Sequence, residues 1–516
     1  MAKPIRLIRS VVTVGFWTLL SRVAGFARDI MMAAYLGAGP VAEAFLIAFS
    51  LPNLFRRFFA EGAFNMAFVP MYSKKVEGGE DAEGFARDAY WGLATILILF
   101  TLIGMAAMPW LVLAMASGFH GDERYDLAVT FGTIAFPYIL FISLTALISG
   151  MLNAAGRFVA TSAVPIMMNV TFVVAMIAAD MVGWDMGLTL SWAVPAAGIV
   201  QLVLIWWALK RAGFSLAFRR PRMTPELKRL IAIMGPAILA GGVVQINLLV
   251  GRQVASFTDG AVAWLSYADR LYQLPLGVVG IAIGVVLLPD LSRRLRAGDH
   301  EGGRDALSRA MEFALALTIP AAVALIVLAV PMIGVLFGRG AFTQDDVNAT
   351  ALALAIYGAG LPAFVLHKVL QPLFYAREDT RRPFHYAVIS MVVNVVIAIG
   401  LWPILGWSAA ALATTLAGWG MVAQLWWGSR DMGETARPDA RMMNRLWRII
   451  ASALIMGVVL YGLALVLAPY LAQSGVRYLA MLALVVAGIV VYFGAGFGLG
   501  AFRLIELKAA TKRGGK

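Results

Sequence analysis

Seven basic side chains stand within stretches that are otherwise apolar: Arg22, Arg28, Arg56, Arg57, Arg252, Arg270 and Lys368. Acids at comparable depth are fewer, chiefly Asp29, Glu43, Glu61 and Asp269. An arginine at bilayer depth costs about 2.5–3.5 kcal/mol even on lenient insertion scales, so it normally faces protein or water and marks a functional site. An interior with surplus positive charge needs an anion to complete it. The planar fork of arginine suits phosphate or diphosphate through paired, charge-assisted hydrogen bonds. The competing reading for each arginine is an interhelical ion pair or snorkelling to a headgroup, and for Arg252 and Lys368 both readings stay open.

Spacing refines this set. In Leu51 to Glu61, LPNLFRRFFAE, Arg57 and Glu61 are i and i+4 and share a helix face, whereas Arg56 lies about 100° away with no acid at that spacing. Glu61 is therefore expected to neutralise Arg57 and leave Arg56 to the ligand. Pro52 removes the hydrogen bond to Ala48 and predicts a kink beside Arg56. Arg22 and Arg28 are about 120° apart around one helix, with Gly25 between them allowing a bend that turns both inward. Asp269 cannot share a face with its neighbour Arg270. Asn169, Asn394, Gln245 and Asn247 read as helix–helix hydrogen-bonding residues.

The elements that position these groups follow from composition. With 61% hydrophobic residues, 14% charged residues and a mean hydropathy of +0.81 over 516 positions, the chain has too few polar side chains to cover a soluble fold. It reads as an all-α polytopic membrane protein with about fourteen crossings, running from segment 11–37 to segment 478–502. With both termini cytoplasmic, the inner side holds 32 Lys and Arg and the outer side only Arg124, Arg339 and Arg477. That asymmetry is the one that membrane insertion imposes. The net charge of +13 is thus topological, and no nucleic-acid partner is implied. The basic start followed by an apolar run imitates a signal peptide, but no small-residue cleavage site follows, so an uncleaved first helix is expected. No cysteine and only four histidines are present, which argues against redox or zinc chemistry, and no GxxxxGK[ST] loop is found, which argues against ATP hydrolysis. No cofactor is expected, and the coupling ion is left open.

An internal repeat organises the crossings. VPMYSKKVEGGEDAEGFARDA resembles LPDLSRRLRAGDHEGGRDA, pairing Pro70 with Pro289, and NAAGRFVATSAVPIMMNV resembles YAREDTRRPFHYAVISMVVNV, pairing Asn169 with Asn394. Six crossings per unit make the repeats parallel, as in transporters whose site lies at the repeat interface. The expected division is an N-lobe over 1–212, a basic cytoplasmic linker over 213–229, a C-lobe over 230–430, and a last two-helix hairpin with a basic tail over 431–516. The final two crossings carry no charge and read as a lipid-facing hairpin.

Four stretches, SRVAGFARD (Ser21 to Asp29), LPNLFRRFFAEGAFNMAFVP (Leu51 to Pro70), YADRLYQLP (Tyr267 to Pro275) and KVLQPLFYAREDT (Lys368 to Thr380), resemble signatures of the MurJ/MviN family. These are lipid II flippases of the multidrug/oligosaccharidyl-lipid/polysaccharide exporter superfamily. The resemblance implies a transporter, not an enzyme, in the bacterial inner membrane. It would move undecaprenyl-diphosphate-linked peptidoglycan precursor from the cytoplasmic to the periplasmic leaflet by alternating access. It further implies that Arg22, Arg28, Arg56 and Arg270 bind the substrate, that Glu43 is a cavity acid, and that the last hairpin takes the polyprenyl tail. Partners would be lipid II and membrane lipids. Gln273 departs from the pattern, since relatives can carry glutamate there. Two other classes fit parts of the pattern: an exporter of another polyprenyl-linked saccharide or of drugs, and a membrane glycosyltransferase. A cationic-drug exporter would want an acidic cavity, and a transferase a long outer loop with a catalytic carboxylate. The outer loops here reach only about ten residues.

Overall fold

A computed structural model describes residues 4–56 and 64–502, with side-chain surroundings for all of these except 4–14, 64–66, 234–248, 278 and 280–286. Among the described residues every regular element is a helix. Hydrocarbon offers no partner for an open backbone, so a helix that satisfies its own peptide groups is the solution. Among those residues nine helical stretches are long and apolar enough to cross a membrane, which makes the chain a multi-pass membrane protein. The chain divides into two compact units, residues 1–263 with 340–342, and residues 264–339 with 343–516.

The first unit holds α1 (Pro4–Leu36), α2 (Pro40–Arg56), α3 (Phe64–Glu77), α4 (Ala82–Ala106), α5 (Met108–Met115), α6 (Glu123–Ala135), α7 (Tyr138–Ala154), α8 (Phe158–Val182), α9 (Met186–Arg211) and α10 (Pro225–Ala255). The apolar segments 88–117 and 125–153 each prove to be two helices. Pro109 has no N–H for the Met105 carbonyl and Pro137 none for Thr133, so the backbone turns aside at Ala107 and again before Tyr138. α8 packs on α1 and α9, and α2 on α6.

The second unit holds α11 (Ala261–Arg296, whose first three residues belong to the first unit), α12 (His300–Val327), α13 (Ala329–Leu336), α14 (Gln344–Tyr375), α15 (Arg381–Leu405), α16 (Ser408–Gly428), α17 (Ala440–Ala472) and α18 (Arg477–Gly498). Pro331 separates α12 from α13 in the same way. Pro362, by contrast, runs inside an unbroken α14. Neighbouring α16 donates into this stretch: Thr415 Oγ1 to the Ile356 carbonyl at 2.8 Å and Trp419 Nε1 to that of Ala359 at 3.1 Å. Outside donors beside a proline steady a membrane helix that would otherwise open. The core of this unit gathers Leu291, Leu307, Met311, Val369, Phe374 and Leu425.

The α17–α18 hairpin lies along α12. Leucine gains nothing by leaving lipid for protein, so such a joint depends on close packing and hydrogen bonds. Both are present: a Cβ on Gly457 would stand 2.6 Å from Val323 Cγ1, and Tyr492 Oη donates to the Ala316 carbonyl at 2.6 Å. At the end of this joint where α12 and α17 begin, Glu312 receives Arg309 at 2.5 Å and also pairs with Arg445 and Arg441.

Turns recur at matched places. Left-handed residues fall at Gly37 and Gly260, Gly79 and Gly298, Gly156 and Glu378, and Gly183 and Gly406, each pair about 220 residues apart. The two loops aligned in sequence close alike: Asp81 accepts from Gly84 N at 2.7 Å to start α4, and Asp299 from Gly302 N at 2.8 Å to start α12. Two tight crossings in the first unit follow the same spacing. Ala341 N donates to the Ala34 carbonyl at 2.8 Å, and Gly118 N donates to Ser256 Oγ at 3.0 Å. A Cβ would stand 2.1 Å from Ala34 O if placed on Gly340, and 2.5 Å from the Ser256 carbonyl carbon if placed on Gly118.

Candidate functional site

Of the predicted ligands, Arg22, Arg28 and Arg56 lie in the first unit and Arg270 in the second. Arg22 is half-buried and has neither a hydrogen bond nor an ion pair among the described residues. It opens into a cavity of about 450 Å³. Thr18 and Ser21 of α1, Ser149 and Asn153 of α7, and Thr161 and Ser162 of α8 line this cavity together with Phe158 and Pro165, and most of its surface is apolar. The Thr161 hydroxyl lies 2.8 Å from Asn153 Oδ1 and 2.9 Å from the Phe158 carbonyl, so its single proton is shared between two acceptors. α8 is fastened to α1 next to Arg22 by Asn169, whose Nδ2 donates to the Ser21 carbonyl at 3.1 Å and lies over Gly25. Asn169 is thus the helix–helix residue expected of it.

Arg28 differs from Arg22. Its Nε and Nη2 both donate to Asp29 Oδ1, at 3.0 and 2.7 Å, and both residues are buried. The guanidinium also lies 5.5 Å from the Phe172 ring centroid, within cation–π range. Adjacent residues on a helix point about 100° apart, so this pair forms only because both side chains swing toward each other.

On α2, Pro52 sits within the helix, and side chains on either side of it bond back to the backbone. Ser50 Oγ donates to the Leu46 carbonyl at 2.5 Å and Asn53 Nδ2 to that of Phe49 at 2.9 Å. Arg56 Nε in turn donates to Asn53 Oδ1 at 3.2 Å. Arg57 and Glu61 lie outside the described residues, as do the side chains of Gln245 and Asn247.

Glu43 is a structural anchor in this conformation. It is 1% exposed, accepts Arg124 Nη1 on Oε2 at 3.0 Å, and accepts Val262 N on Oε1 at 2.9 Å. Arg124 continues to Asp122 at 2.6 Å and Asp259 at 3.0 Å, with its guanidinium 4.5 Å from the Phe119 ring centroid. Burial pushes the Asp122 carboxyl upward, but the Arg124 side chain and backbone N–H outweigh it and hold the group below the ordinary aspartate range. One clamp therefore ties α2, α6 and the start of α11.

In the second unit, Arg270 is exposed on α11, and Asp269 accepts the side-chain amide of Gln273 one turn on. Gln273 is thus a neutral partner for Asp269, where a glutamate would repel it. Lys368 is half-buried on α14 with no polar partner among the described residues, and Arg252 is half-buried near the end of α10.

Sequence reasoning missed Arg124, Asp122 and Asp259, and it missed the hydroxyls around Arg22. For the clamp a signal existed, since Asp122, Glu123 and Arg124 crowd charge into an outer turn that otherwise lacks it. Short hydroxyl side chains in helices give no such signal.

A family model described as lipid II flippase MurJ matches residues 32–481. The chain belongs to this MurJ family. A family relative, the probable lipid II flippase MurJ of Rhizobium meliloti (strain 1021), is 44% identical over 98% of this chain and 97% of its own length. The lipid II flippase MurJ of Burkholderia cenocepacia is 35% identical over 89% of this chain and 90% of its own. Among solved structures, a lipid II flippase MurJ in an inward closed conformation superposes with a TM-score of 0.77 at 26% identity, covering 94% of this chain and 98% of that one. An inward-facing multidrug-resistance transporter of the MATE family reaches 0.67 at 14% identity, covering 83% of this chain and 98% of that one, which speaks for the shared fold.

Proposed function

We propose that this chain is a lipid II flippase of the bacterial inner membrane, and that arginines within the bundle bind the diphosphate while the carrier alternates access between leaflets. The observation that carries the binding role is Arg22: a half-buried guanidinium, without a counter-ion among the described residues, facing a largely apolar cavity dotted with hydroxyls. A cation in that setting gains most from an incoming anion, because its own protein has not neutralised it. Arg28, Arg56 and Arg270 complete the set, with Arg28 exchanging Asp29 for the diphosphate. Fourteen crossings with both termini cytoplasmic, lobes over 1–212 and 230–430, and a linker over 213–229 give the rocking halves. The matched turns about 220 residues apart support that division. The apolar α17–α18 hairpin holds the polyprenyl tail. Closure follows charge neutralisation, because the empty cavity costs more to seal than the occupied one.

The test is depletion of the protein in cells lacking a redundant flippase, read by a leaflet-specific assay for lipid II. Loss of outer-leaflet exposure is expected, and unchanged exposure refutes the function. For the residues, Arg56→Ala should abolish complementation while the pair Arg57→Ala with Glu61→Ala retains part of it. Equal loss in both removes the distinction between the two arginines.

A further inference from the structure

The cavity beside Arg22 contains more than a phosphate needs. One cation faces six neutral polar side chains across three helices, and further anionic groups would call for further cations. Hydroxyls and a carboxamide set in a mostly apolar surface with Phe158 and Pro165 match a sugar ring, which carries hydroxyl and acetamido groups at its edge and C–H groups on its faces. We propose that this cavity is a sugar subsite, which takes the glycosyl unit joined to the diphosphate while Arg22 holds the phosphate edge. The proposal rests on the flippase reading above and adds the residues that recognise the sugar.

Three observations support it beyond the lining. First, Ser149 and Ser162 make no hydrogen bond among the described residues, unlike Ser50, Thr145, Thr171 and Ser191, which each donate to their own i−4 carbonyl. Their hydroxyls are thus available to a ligand. Second, Thr161 Oγ1 lies 2.8 Å from the Asn153 carboxamide, and with Oδ1 accepting there the amide nitrogen is left as a donor. That nitrogen suits a ring hydroxyl or an amide carbonyl. Third, the cavity lies beside the α7–α8 turn carrying Arg157, which the charge rule puts at the cytoplasmic side, where a headgroup waits before transfer. A volume of about 450 Å³ is within the ordinary range for a small-molecule pocket, about 300–1,000 Å³, and admits a sugar ring.

The experiment measures binding of three probes to the full-length protein in nanodiscs: polyprenyl diphosphate, the same lipid carrying one N-acetylated sugar with its peptide, and lipid II. The variants are Ser149→Ala with Ser162→Ala, and separately Asn153→Ala, each checked for an unchanged melting curve. Both should weaken the two glycosylated probes about tenfold and polyprenyl diphosphate less than twofold, the loss expected when a ligand's polar group goes unpaired. Arg22→Ala should weaken all three. Equal weakening of all probes by the serine and asparagine variants, or no weakening of any, overturns the sugar subsite. Wild-type protein that binds none of the probes, or binding indifferent to Arg22→Ala, overturns instead the diphosphate reading on which the subsite rests.

Discussion

Removing Arg124 tests whether Glu43 is an anchor. The carboxylate is 1% exposed and Arg124 is 5% exposed, with 3.0 Å between Arg124 Nη1 and Glu43 Oε2. Arg124→Ala leaves a buried charge held only by backbone N–H groups, those of Gly260 and Val262 among them. Breaking a buried pair from one side costs about 3–5 kcal/mol, whereas replacing both partners by apolar groups of similar volume is often neutral. Glu43→Leu alone strands Arg124 less severely, because Asp122 and Asp259 still neutralise it. The order of stability should therefore be wild type near the Glu43→Leu/Arg124→Leu double variant, then Glu43→Leu, then Arg124→Ala. Asp259→Ala is the control: its side chain is 92% exposed, so its loss should stay within about 1 kcal/mol. Equilibrium unfolding in mixed micelles, with the folded fraction followed by tryptophan fluorescence, reads these differences. Arg124→Ala within about 0.5 kcal/mol of wild type, or losses of Glu43→Leu and Arg124→Leu that simply add in the double, would refute the buried-pair reasoning.

Three further outcomes are expected. Gly340→Ala forces a Cβ to 2.1 Å from Ala34 O at a φ of +59°, so transport should fall sharply with insertion intact; Gly121→Ala, at a φ of +92° with open space, should lose only about 1 kcal/mol of stability, and complementation assays compare the two. Tyr492→Phe removes the donor to Ala316 O and should lower stability by about 0.5–1.5 kcal/mol, seen as a small drop in melting temperature. Glu312→Gln leaves Arg309, Arg441 and Arg445 without their shared carboxylate, and hydrogen exchange should accelerate over the first turns of α17.

What was legible in the sequence was whatever carries a strong local cost. Charges inside apolar runs and the basic bias of inner loops showed where to look, because lipid penalises each group separately. Pro109, Pro137 and Pro331 carry a local cost too, yet the breaks they make were not read from the sequence, and Pro362 shows why: the same residue stands inside an unbroken α14. The pairing of Glu43 with Arg124 escaped detection because it depends on α2 meeting α6, and charge counting had set Arg124 among the outer-side residues. Ser149 and Ser162 escaped for a related reason: a serine in a helix looks alike in sequence whether its proton goes to its own backbone or to a ligand.

The Arg28–Asp29 pair bears on how a carrier lets go. An anion that reaches Arg28 has to displace a counter-ion attached to the very next residue, one that cannot diffuse away and waits within reach throughout the cycle. Part of the attraction is therefore returned to the helix when the anion departs. A guanidinium with a tethered competitor binds less tightly than a bare one but also releases sooner. Under the proposed function, placing one of each on α1, Arg22 bare and Arg28 tethered, would pair capture with discharge on a single helix.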